Sequence, residues 1–275
     1  MIESLILEAL KLWEYLVMDF ELNGKKAIVS AGGSGIGLSI VEEFIKQGVS
    51  ISTCDIDKNL IQELRSKYPQ VHAEVVDVSD EQTVKEFCLK SIEFLGGLDC
   101  LVNNAGVAGP TLPIEEIDAE DWSHCLNVCL SSQFYFVKSC LKQLRKSHSA
   151  SIVNLSSAAG QYGFALRTPY ASAKWGVIGL TKSLSIELGK DKIRVNAILP
   201  GLVAGDRQQN VLRNKAQQLG KSFAEVEKEA FSFTSIKEYV QAQDIADQIM
   251  YLTSDAGKHI SGQAISIDCD TKMLL

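Results

Sequence analysis

Three residues in the middle of the chain have the types and spacing of a proton-transfer site: Ser157, followed by Tyr170 and Lys174 in the segment YASAK. Positions four residues apart lie on the same side of an α-helix, so a helix here would place the lysine beside the tyrosine. A nearby ammonium favours the phenolate over the phenol, and the serine hydroxyl can donate a hydrogen bond to the same oxygen site. This spacing predicts acid–base chemistry on an alcohol or carbonyl group, with these three residues as the catalytic set.

A glycine-rich segment earlier in the chain, SAGGSGIG over 30–37, is typical of a nucleotide-binding turn. Gly33, Gly35 and Gly37 lack a Cβ atom, so a pyrophosphate can approach the backbone and the N–H groups that begin the next helix. Such a turn is a weak signal alone. Here it follows a predicted strand, opens a predicted helix and precedes an acid, Asp55, at the end of the next strand. We therefore predict a nicotinamide cofactor that exchanges hydride beside the tyrosine.

Asp55 favours NAD over NADP as that cofactor. A carboxylate at this position accepts hydrogen bonds from the adenosine ribose hydroxyls and repels a 2′-phosphate. The 30–37 turn also contains no Lys or Arg that would bind such a phosphate. An ordinary solvated loop acid, near Asp57, is the other interpretation of this residue. NAD is therefore the predicted cofactor, and NADP is the less favoured one.

The scaffold that must position these residues is an alternation of strands and helices. Apolar runs typical of buried strands are separated throughout by helical segments, and strands that are apolar on both faces imply a parallel sheet covered on both sides. The predicted strands cover 25–31, 49–55, 71–78, 98–106, 150–157, 192–201 and 264–268. We therefore predict an α/β fold: a single doubly wound Rossmann-type domain with a mostly parallel sheet of about seven strands.

The chain divides into an extension and one domain. Residues 1–22 have one apolar helical face, and they are predicted to form a helical extension or to precede a translation start at Met18. They lack the features of a signal peptide or a membrane span. Residues 23–275 form the nucleotide-binding domain. Its segment 202–240 is a candidate substrate lid, because it lies beyond the carboxyl end of a strand.

Charge and composition argue against several other functions. The chain of 275 residues has a formal net charge of −7 and a pI of about 5.2, which is unlike a nucleic-acid binder. Its seven cysteines form no CxxC pair, and this favours reduced, buried thiols in a cytoplasmic protein. The four histidines form no HxxxH or HExxH motif, so no metal site is predicted. The expected partner is a small-molecule substrate.

The ordered set of motifs resembles the short-chain dehydrogenase/reductase family, which includes the 3-oxoacyl-carrier-protein reductases. The resemblance extends from about residue 24 to 268, with SAGGSGIG in the place of the family's TGxxxGxG. Asp77 and Val78 match the pair that contacts adenine, 103–106 matches the NNAG motif, and 200–201 matches a PG turn near the nicotinamide. The resemblance implies a homotetramer or dimer built on helices over 119–146 and 169–189.

The same resemblance gives roles to individual residues. It implies that Tyr170 is the general acid/base, that Lys174 also holds the nicotinamide ribose, and that Ser157 steadies the substrate oxygen. The glycine turn and the resemblance together give the predicted cofactor-binding residues: Ser30, Gly33, Ser34, Gly35, Ile36, Gly37, Asp55, Ile56, Asp77, Val78, Asn104, Ala105, Gly106, Tyr170, Lys174, Pro200, Gly201 and Val203.

The chain departs from the family pattern in four places. Ala31 replaces the first glycine of the turn and adds a Cβ where an unusual φ is expected. Cys129 replaces an asparagine that works largely through its backbone carbonyl, and Asn127 is expected to point elsewhere on the helix. Gly205 replaces a threonine that meets the nicotinamide carboxamide, and IDCD over 267–270 replaces a DGG segment. The cysteine puts the proton relay in doubt but leaves the catalytic set intact.

The substrate is constrained mainly by the cations of the 202–240 segment. Arg207, with Arg213 and Lys215 further along, is a hypothetical ligand for a carboxylate, phosphate or sulfonate; a solvated helix face is the other interpretation. The sequence favours an NAD-dependent oxidoreductase for a small alcohol or ketone, such as an anionic hydroxy acid or a polyol. A 3-oxoacyl-type reductase, or a catalytically weak nucleotide-binding scaffold or sensor, remains the alternative.

Overall fold

The computed structural model describes residues 20–274 of the chain. Seven strands form one sheet in the order β3-β2-β1-β4-β5-β6-β7, and every neighbouring pair is parallel. The strands are β1 (Lys26–Ser30), β2 (Ser50–Asp55), β3 (His72–Val75), β4 (Cys100–Asn103), β5 (Ser151–Leu155), β6 (Arg194–Pro200) and β7 (Ala264–Ile267). The predicted fold class is confirmed, with a sheet that is parallel throughout.

Helices connect the strands and cover both faces of the sheet. They are α1 (Gly35–Lys46), α2 (Lys58–Lys67), α3 (Glu81–Leu95), α4 (Ala119–Leu126), α5 (Ser132–Leu144), α6 (Thr168–Glu187), α7 (Asp206–Leu219), α8 (Phe223–Ser232) and α9 (Ala242–Thr253). A π-helical segment, Asn127–Ser131, joins α4 to α5. The long helix predicted over 119–146 is therefore continuous but changes its hydrogen-bond register in the middle.

Side-chain alternation along the strands divides the core into two clusters, one on each face of the sheet. In β1, Ala27 and Val29 pack into the first cluster, together with α1 and α9. Ile28, between them, packs into the second cluster with residues of α3 and α5 such as Phe87 and Phe136. Successive residues of a strand point to opposite faces, so a strand that is apolar throughout is buried on both sides.

Local sequence signals set several helix ends. The Asp57 carboxylate accepts hydrogen bonds from backbone N–H groups at the start of α2, and Asp80 does the same at the start of α3. Ser222 and Glu225 form a reciprocal capping box at α8. α3 stops at Gly96, whose φ of 64° is the left-handed conformation that favours glycine. These are the capping residues that stabilise helix termini in general.

The predicted strands are longer than the observed ones, mainly at their carboxyl ends. The prediction over 71–78 corresponds to the shorter β3, and that over 98–106 corresponds to β4. The residues in excess, including Asp77 and Asn104, leave the sheet and form loops along its carboxyl edge. These loops carry the residues expected to bind the cofactor.

The predicted helical extension over residues 1–22, and the alternative start at Met18, fall almost entirely outside the described residues. Within the described range, the Phe20 N–H donates a hydrogen bond of 3.1 Å to the Gln47 side-chain oxygen, and Leu22 is fully buried. No helix in residues 20–274 is long and apolar enough to cross a membrane.

Candidate active site

The carboxyl edge of the sheet has its switch point between β1 and β4, where the strand order reverses direction. In open α/β sheets, ligands bind in the crevice at such a point. Asn104 follows β4 and fastens it to the turn after β1. Its backbone N–H donates to Ser30 Oγ at 2.9 Å, and its side-chain amide donates to the Ala31 carbonyl at 2.9 Å. The two loops therefore form one unit.

The glycine turn packs so closely against its surroundings that two of its positions have no room for a Cβ atom. A Cβ on Gly37 would lie 1.9 Å from the Ala31 carbonyl oxygen, and one on Gly33 would lie 2.8 Å from Asp55 Oδ2. Gly35 has φ +53° and open space around it, and Ser34 makes no capping bond with its side chain at the start of α1. The free N–H groups of this helix N-terminus fit an anionic pyrophosphate.

Asp55 lies at the end of β2, directly against the glycine turn. Its Oδ2 accepts a hydrogen bond from the Gly33 N–H at 3.1 Å, and its Oδ1 accepts one from the Asp57 N–H at 3.1 Å. Asp55 is 9% exposed, whereas the next residue, Ile56, is 66% exposed. The carboxylate is therefore held beside the turn and is not an ordinary solvated loop acid.

The remaining predicted cofactor residues also lie along this edge. Asp77 accepts hydrogen bonds from the Ser79 backbone N–H and hydroxyl, at 2.9 and 2.7 Å, and Val78 is buried. On the other side of the switch point, Pro200 ends β6. A Cβ on Gly201 would lie 2.6 Å from the Asp268 Cα, so only glycine fits there. Ala105, Gly106 and Val203 lie in the loops that follow β4 and β6.

Lys174 connects α6 to the end of β5. It is 3% exposed, and its Nζ donates to the Leu155 carbonyl at 2.7 Å. Its own carbonyl accepts a hydrogen bond of 2.8 Å from Ser156. Nζ lies 5.6 Å from the centroid of the Tyr170 ring, as the four-residue spacing predicts. Ser157 follows β5, and its Oγ accepts from the Ala159 N–H at 3.2 Å.

Cys129, in the π-helical segment, is buried and touches the loop after β4. Its Sγ lies 3.4 Å from the Val107 nitrogen, which donates to it. Its carbonyl accepts from the Gln133 amide at 3.2 Å, and that amide also donates to Leu155 at 3.2 Å. A hydrogen bond from the Cys125 thiol, with further help from nearby cations, lowers the pKa of Cys129.

The positions that depart from the family pattern have distinct backbone conformations. Ala31 has φ +54°, and Cys269 and Asp270 have φ +57° and +54°. Gly205, directly before α7, has φ +134°, a value that side chains rarely adopt. Asn127 is exposed, as expected for a residue that points away from the site.

Two buried cations lie against the Phe164 ring. Arg167 was absent from the predicted site, and Lys215 was noted only as a cation of the 202–240 segment. Arg167 is 2% exposed, its Cζ lies 4.8 Å from the centroid of the Tyr170 ring, and its Nη2 donates to the Ala108 carbonyl. Lys215, in α7, is 3% exposed. Burial lowers the pKa of Arg167; burial and the Arg167 charge lower the pKa of Lys215 to about 8. The spacing of three between Arg167 and Tyr170 is a helical signal that sequence analysis could have used.

Arg207, the cation singled out from the sequence, is exposed at the start of α7. Its Nη1 donates to the Gly106 carbonyl at 3.1 Å. A Cβ on Gly106 would lie 3.6 Å from Lys174 Nζ and 3.7 Å from Arg207 Nη2. The structure therefore brings Arg207 close to Lys174, the lysine of the predicted catalytic set. In residues 20–274, no group of three or more His, Cys, Asp or Glu side chains is arranged to hold a metal ion.

Comparisons with known proteins agree with this geometry. A family model described as short chain dehydrogenase matches residues 25–216. The 3-oxoacyl-[acyl-carrier-protein] reductase FabG of Thermotoga maritima is 32% identical over 251 residues, covering 90% of this chain and 97% of the relative.

Solved structures also share the fold. An NAD⁺-bound xylitol dehydrogenase has a TM-score of 0.85 at 24% identity, with 90% of this chain and 98% of that chain covered. An actinorhodin polyketide ketoreductase with NADPH has a TM-score of 0.84 at 26% identity, with 91% and 98% covered.

The fold and the glycine turn define a nicotinamide-dinucleotide oxidoreductase of Rossmann type. The chain belongs to the short-chain dehydrogenase family. The prediction of an NAD(P)-dependent enzyme acting on CH–OH groups is confirmed at this level.

Proposed function

We propose that the protein is an NAD-dependent oxidoreductase that interconverts a small alcohol and its ketone, with Tyr170 as general acid/base. The observation that carries the proposal is the position of Lys174. Its ammonium is buried, 2.7 Å from the Leu155 carbonyl and 5.6 Å from the Tyr170 ring centroid. It lies at the same sheet edge as the glycine turn.

In the proposed reaction, Tyr170 removes the hydroxyl proton of the alcohol, or returns it to the ketone in the reverse direction. Lys174 stabilises the phenolate by its charge, and the Leu155 carbonyl keeps the ammonium in place. Ser157 donates a hydrogen bond to the substrate oxygen and holds it near the phenol. The bound nicotinamide supplies the hydride acceptor or donor.

NAD is the proposed cofactor because Asp55 is fixed against the turn by the Gly33 N–H. A 2′-phosphate on the adenosine ribose would meet this carboxylate at short range, whereas ribose hydroxyls would donate hydrogen bonds to it. The other cofactor contacts proposed from the sequence, in the loops after β3, β4 and β6, are compatible with a dinucleotide lying along the carboxyl edge.

The experiment is a titration with NAD and NADP, followed by a panel of polyols, hydroxy acids and simple secondary alcohols. We expect a kcat/KM with NAD at least ten-fold higher than with NADP, by the usual effect of this acid. Tyr170→Phe should lower kcat by about 1000-fold or more, because the proton has no other acceptor.

Lys174→Met tests the electrostatic part of the proposal. We expect a large loss of kcat at pH 7 and a displacement of the remaining activity toward higher pH, because the phenolate loses its neighbouring charge. Lys182→Met is the matched control, since Lys182 is an exposed lysine of α6 that donates to the Gly262 carbonyl. An unchanged pH profile in Lys174→Met would contradict the mechanism.

A 3-oxoacyl-type reductase is the second candidate, favoured by the identity with FabG; a preference for NADPH would support it. A weak nucleotide-binding scaffold is the third, and the substitutions at Ala31 and Cys129 favour it. Binding of NAD without turnover on any substrate of the panel would support that interpretation. A cytoplasmic homo-oligomer remains the expected form of the protein.

A further inference from the structure

Two cations beside the Phe164 ring are buried, and some of their nitrogen atoms have no hydrogen-bond partner. For Arg167 these are Nε and Nη1, and for Lys215 it is Nζ. Polar groups that are buried are almost always paired, and charged groups most of all. A pair of buried cations with free donors is therefore an unusual feature, and it indicates a missing anionic partner.

No carboxylate of the described residues compensates these charges. Neither side chain forms an ion pair in residues 20–274. Glu229 is the acid whose charge acts on Lys215, but it is paired at 2.6 Å with Lys221. The protein as a whole is acidic, with a net charge of −7. The uncompensated positive charge is thus local to this site.

Both cations lie against one aromatic ring, and one of them also lies against the proposed catalytic tyrosine. Arg167 Cζ lies 5.1 Å from the centroid of Phe164, and Lys215 Nζ lies 4.7 Å from the same centroid. Arg167 also lies against the Tyr170 ring. A group held by Arg167 is therefore within the length of a small molecule from the phenol that would handle its hydroxyl.

A cleft lies directly beside this ring. Its cavity volume is about 30 Å³, it lies between Phe164, Leu202 and helices α7 and α8, and Lys215 is the charged residue of its wall. The rest of the wall is largely apolar, with Val211, Leu212 and Ala230 among its residues. In composition, an apolar wall with one fixed charge resembles the lining of small-molecule sites, in which a few polar groups set specificity.

The loop after β4 orients the arginines at this site. The Ala108 carbonyl accepts from Arg167, and the Gly106 carbonyl accepts from Arg207. The bond from Nη2 to Ala108 leaves Nε and Nη1 of Arg167 without a partner, so each of them can donate a hydrogen bond to an oxyanion.

We propose that Arg167 and Lys215 form a subsite for an anionic group on the substrate: a carboxylate, sulfonate or phosphate attached close to the reacting carbinol. Arg167 binds the group, Lys215 adds charge from the cleft side, and the exposed Arg207 attracts it at the entrance. The substrate class is thereby narrowed to small hydroxy or keto acids and their sulfonate or phosphate analogues. This inference rests on the proposed function only for its catalytic test.

The first test measures anion binding without catalysis. The Tm is measured in sodium phosphate, sulfate, methanesulfonate and acetate, with ionic strength held constant by sodium chloride. We expect one or more of these anions to raise the Tm by several degrees in the wild type, because ligands that bind the folded state stabilise it. The rise should be lost in Arg167→Met and Lys215→Met, and partly kept in Arg167→Lys.

Arg213→Met is the matched control, because Arg213 is an exposed arginine of the same helix that is bonded to Asn210 and Gln209. It should keep the full rise in Tm. A rise that persists in both Arg167→Met and Lys215→Met, or one that is equally absent from the wild type, would overturn the proposed subsite. The pattern across the four anions separates carboxylate from sulfonate and phosphate.

The second test uses matched pairs of substrates, each a hydroxy acid and its neutral methyl ester or amide. We expect the wild-type kcat/KM to be about 100-fold higher for the acid than for its neutral partner, because the neutral partner cannot form the charged hydrogen bond. Arg167→Met should reduce this ratio to within about three-fold. Equal wild-type kcat/KM values for the two members of a pair would refute the subsite, but they would not contradict the proposed dehydrogenase activity. No turnover at all would refute the proposed function, and the Tm test would still decide the subsite.

Discussion

At the scale of single residues, three side chains lie where glycine would be expected. Ala31, Cys269 and Asp270 all have φ between +54° and +57°, a conformation that costs an L-residue roughly 1–2 kcal/mol. The family pattern has a glycine at the first position and a DGG segment at the other two. These residues hold a backbone conformation that favours glycine, so the surrounding fold offsets the strain.

Ala31→Gly should therefore stabilise the protein. We expect the free energy of unfolding to rise by about 1 kcal/mol, because the relief of the left-handed conformation exceeds the added freedom of glycine in the unfolded chain. Urea denaturation monitored by circular dichroism measures the change. As a control, Ala242→Gly at the helical start of α9 should lower stability. A loss of stability in Ala31→Gly would show that the methyl group makes a compensating contact.

Lys215 gives a second prediction at this scale, through the pH dependence of stability. Its pKa in the folded protein is about 8, below the ordinary value of 10.5. Between these values the unfolded chain holds a proton that the folded chain has released, so stability rises as pH increases. Lys215→Met should lack this rise. At pH 7 it should be more stable than the wild type by on the order of 2 kcal/mol.

The measurement is urea denaturation at pH 7, 8.5 and 10, without added oxyanions. The advantage of Lys215→Met should shrink as the pH approaches 10, because the wild-type lysine loses its proton in the folded state above pH 8 and no longer carries a buried charge. Arg167 and Glu229 are the charges that act on this lysine, and both are present in each protein. Lys228→Met, an exposed lysine of α8, should behave like the wild type. A constant difference between variant and wild type across this range would refute the prediction.

At the scale of elements, the site depends on how closely α6 packs against the end of β5. Gly160 lies between them, and a Cβ there would be 2.8 Å from the Lys174 carbonyl and 2.3 Å from Ser156 Oγ. The serine donates to that same carbonyl. A side chain at this position would push α6 away from Ser157, and it would displace Tyr170 and Lys174 together.

Gly160→Ala should consequently lower both stability and activity. We expect a loss of about 1–3 kcal/mol, the usual cost of overpacking, and a fall in kcat larger than the change in KM. Gly163→Ala is the matched control, since a Cβ on Gly163 has nothing within 4 Å. Stability comes from urea denaturation, and kcat from turnover of the best substrate of the panel. Two variants with the same behaviour would show that the contact is not tight.

The alternation of elements was predictable because each core strand is apolar on both faces. All seven strands were located in this way, and the errors lay at their ends. The π-helical segment was not predictable, since a shift in hydrogen-bond register leaves no mark on composition. The proposed catalytic set comes from local helical spacing, and the proposed role of Asp55 comes from its place after a strand. The proximity of Arg167 and Lys215 depends on how α7 lies relative to the start of α6. No local sequence pattern specifies that arrangement.

At the scale of the whole molecule, the helices expected to form an oligomer present apolar side chains to solvent. On α6, Trp175 is 52% and Ile186 is 83% exposed, and on α5 Phe134 is 47% exposed. Large apolar side chains exposed to solvent can mark a protein interface when they form a contiguous patch. The location agrees with the oligomer that the family resemblance implies.

Trp175→Glu combined with Ile186→Glu should reduce the assembly state. A chain of 30.1 kDa is expected to sediment as a dimer or tetramer in the wild type, and as a smaller species in the double variant, because buried charge without a partner opposes association. Sedimentation equilibrium measures this directly. Leu89→Glu, at a residue of α3 that is 60% exposed, should leave the mass unchanged. A wild type that is already monomeric would contradict the prediction.

The unpaired guanidinium and ammonium beside Phe164 also affect the end of the catalytic cycle. The charged group that they would grip takes no part in the chemistry, so it is the same before and after the hydride moves. Such an interaction stabilises bound substrate and bound product equally, and it lowers KM without lowering the barrier of the chemical step. Tighter binding of this group would therefore slow release of the product and leave the rate of hydride transfer unchanged. When product release limits turnover, salt that weakens binding of this charged group should raise kcat as well as KM.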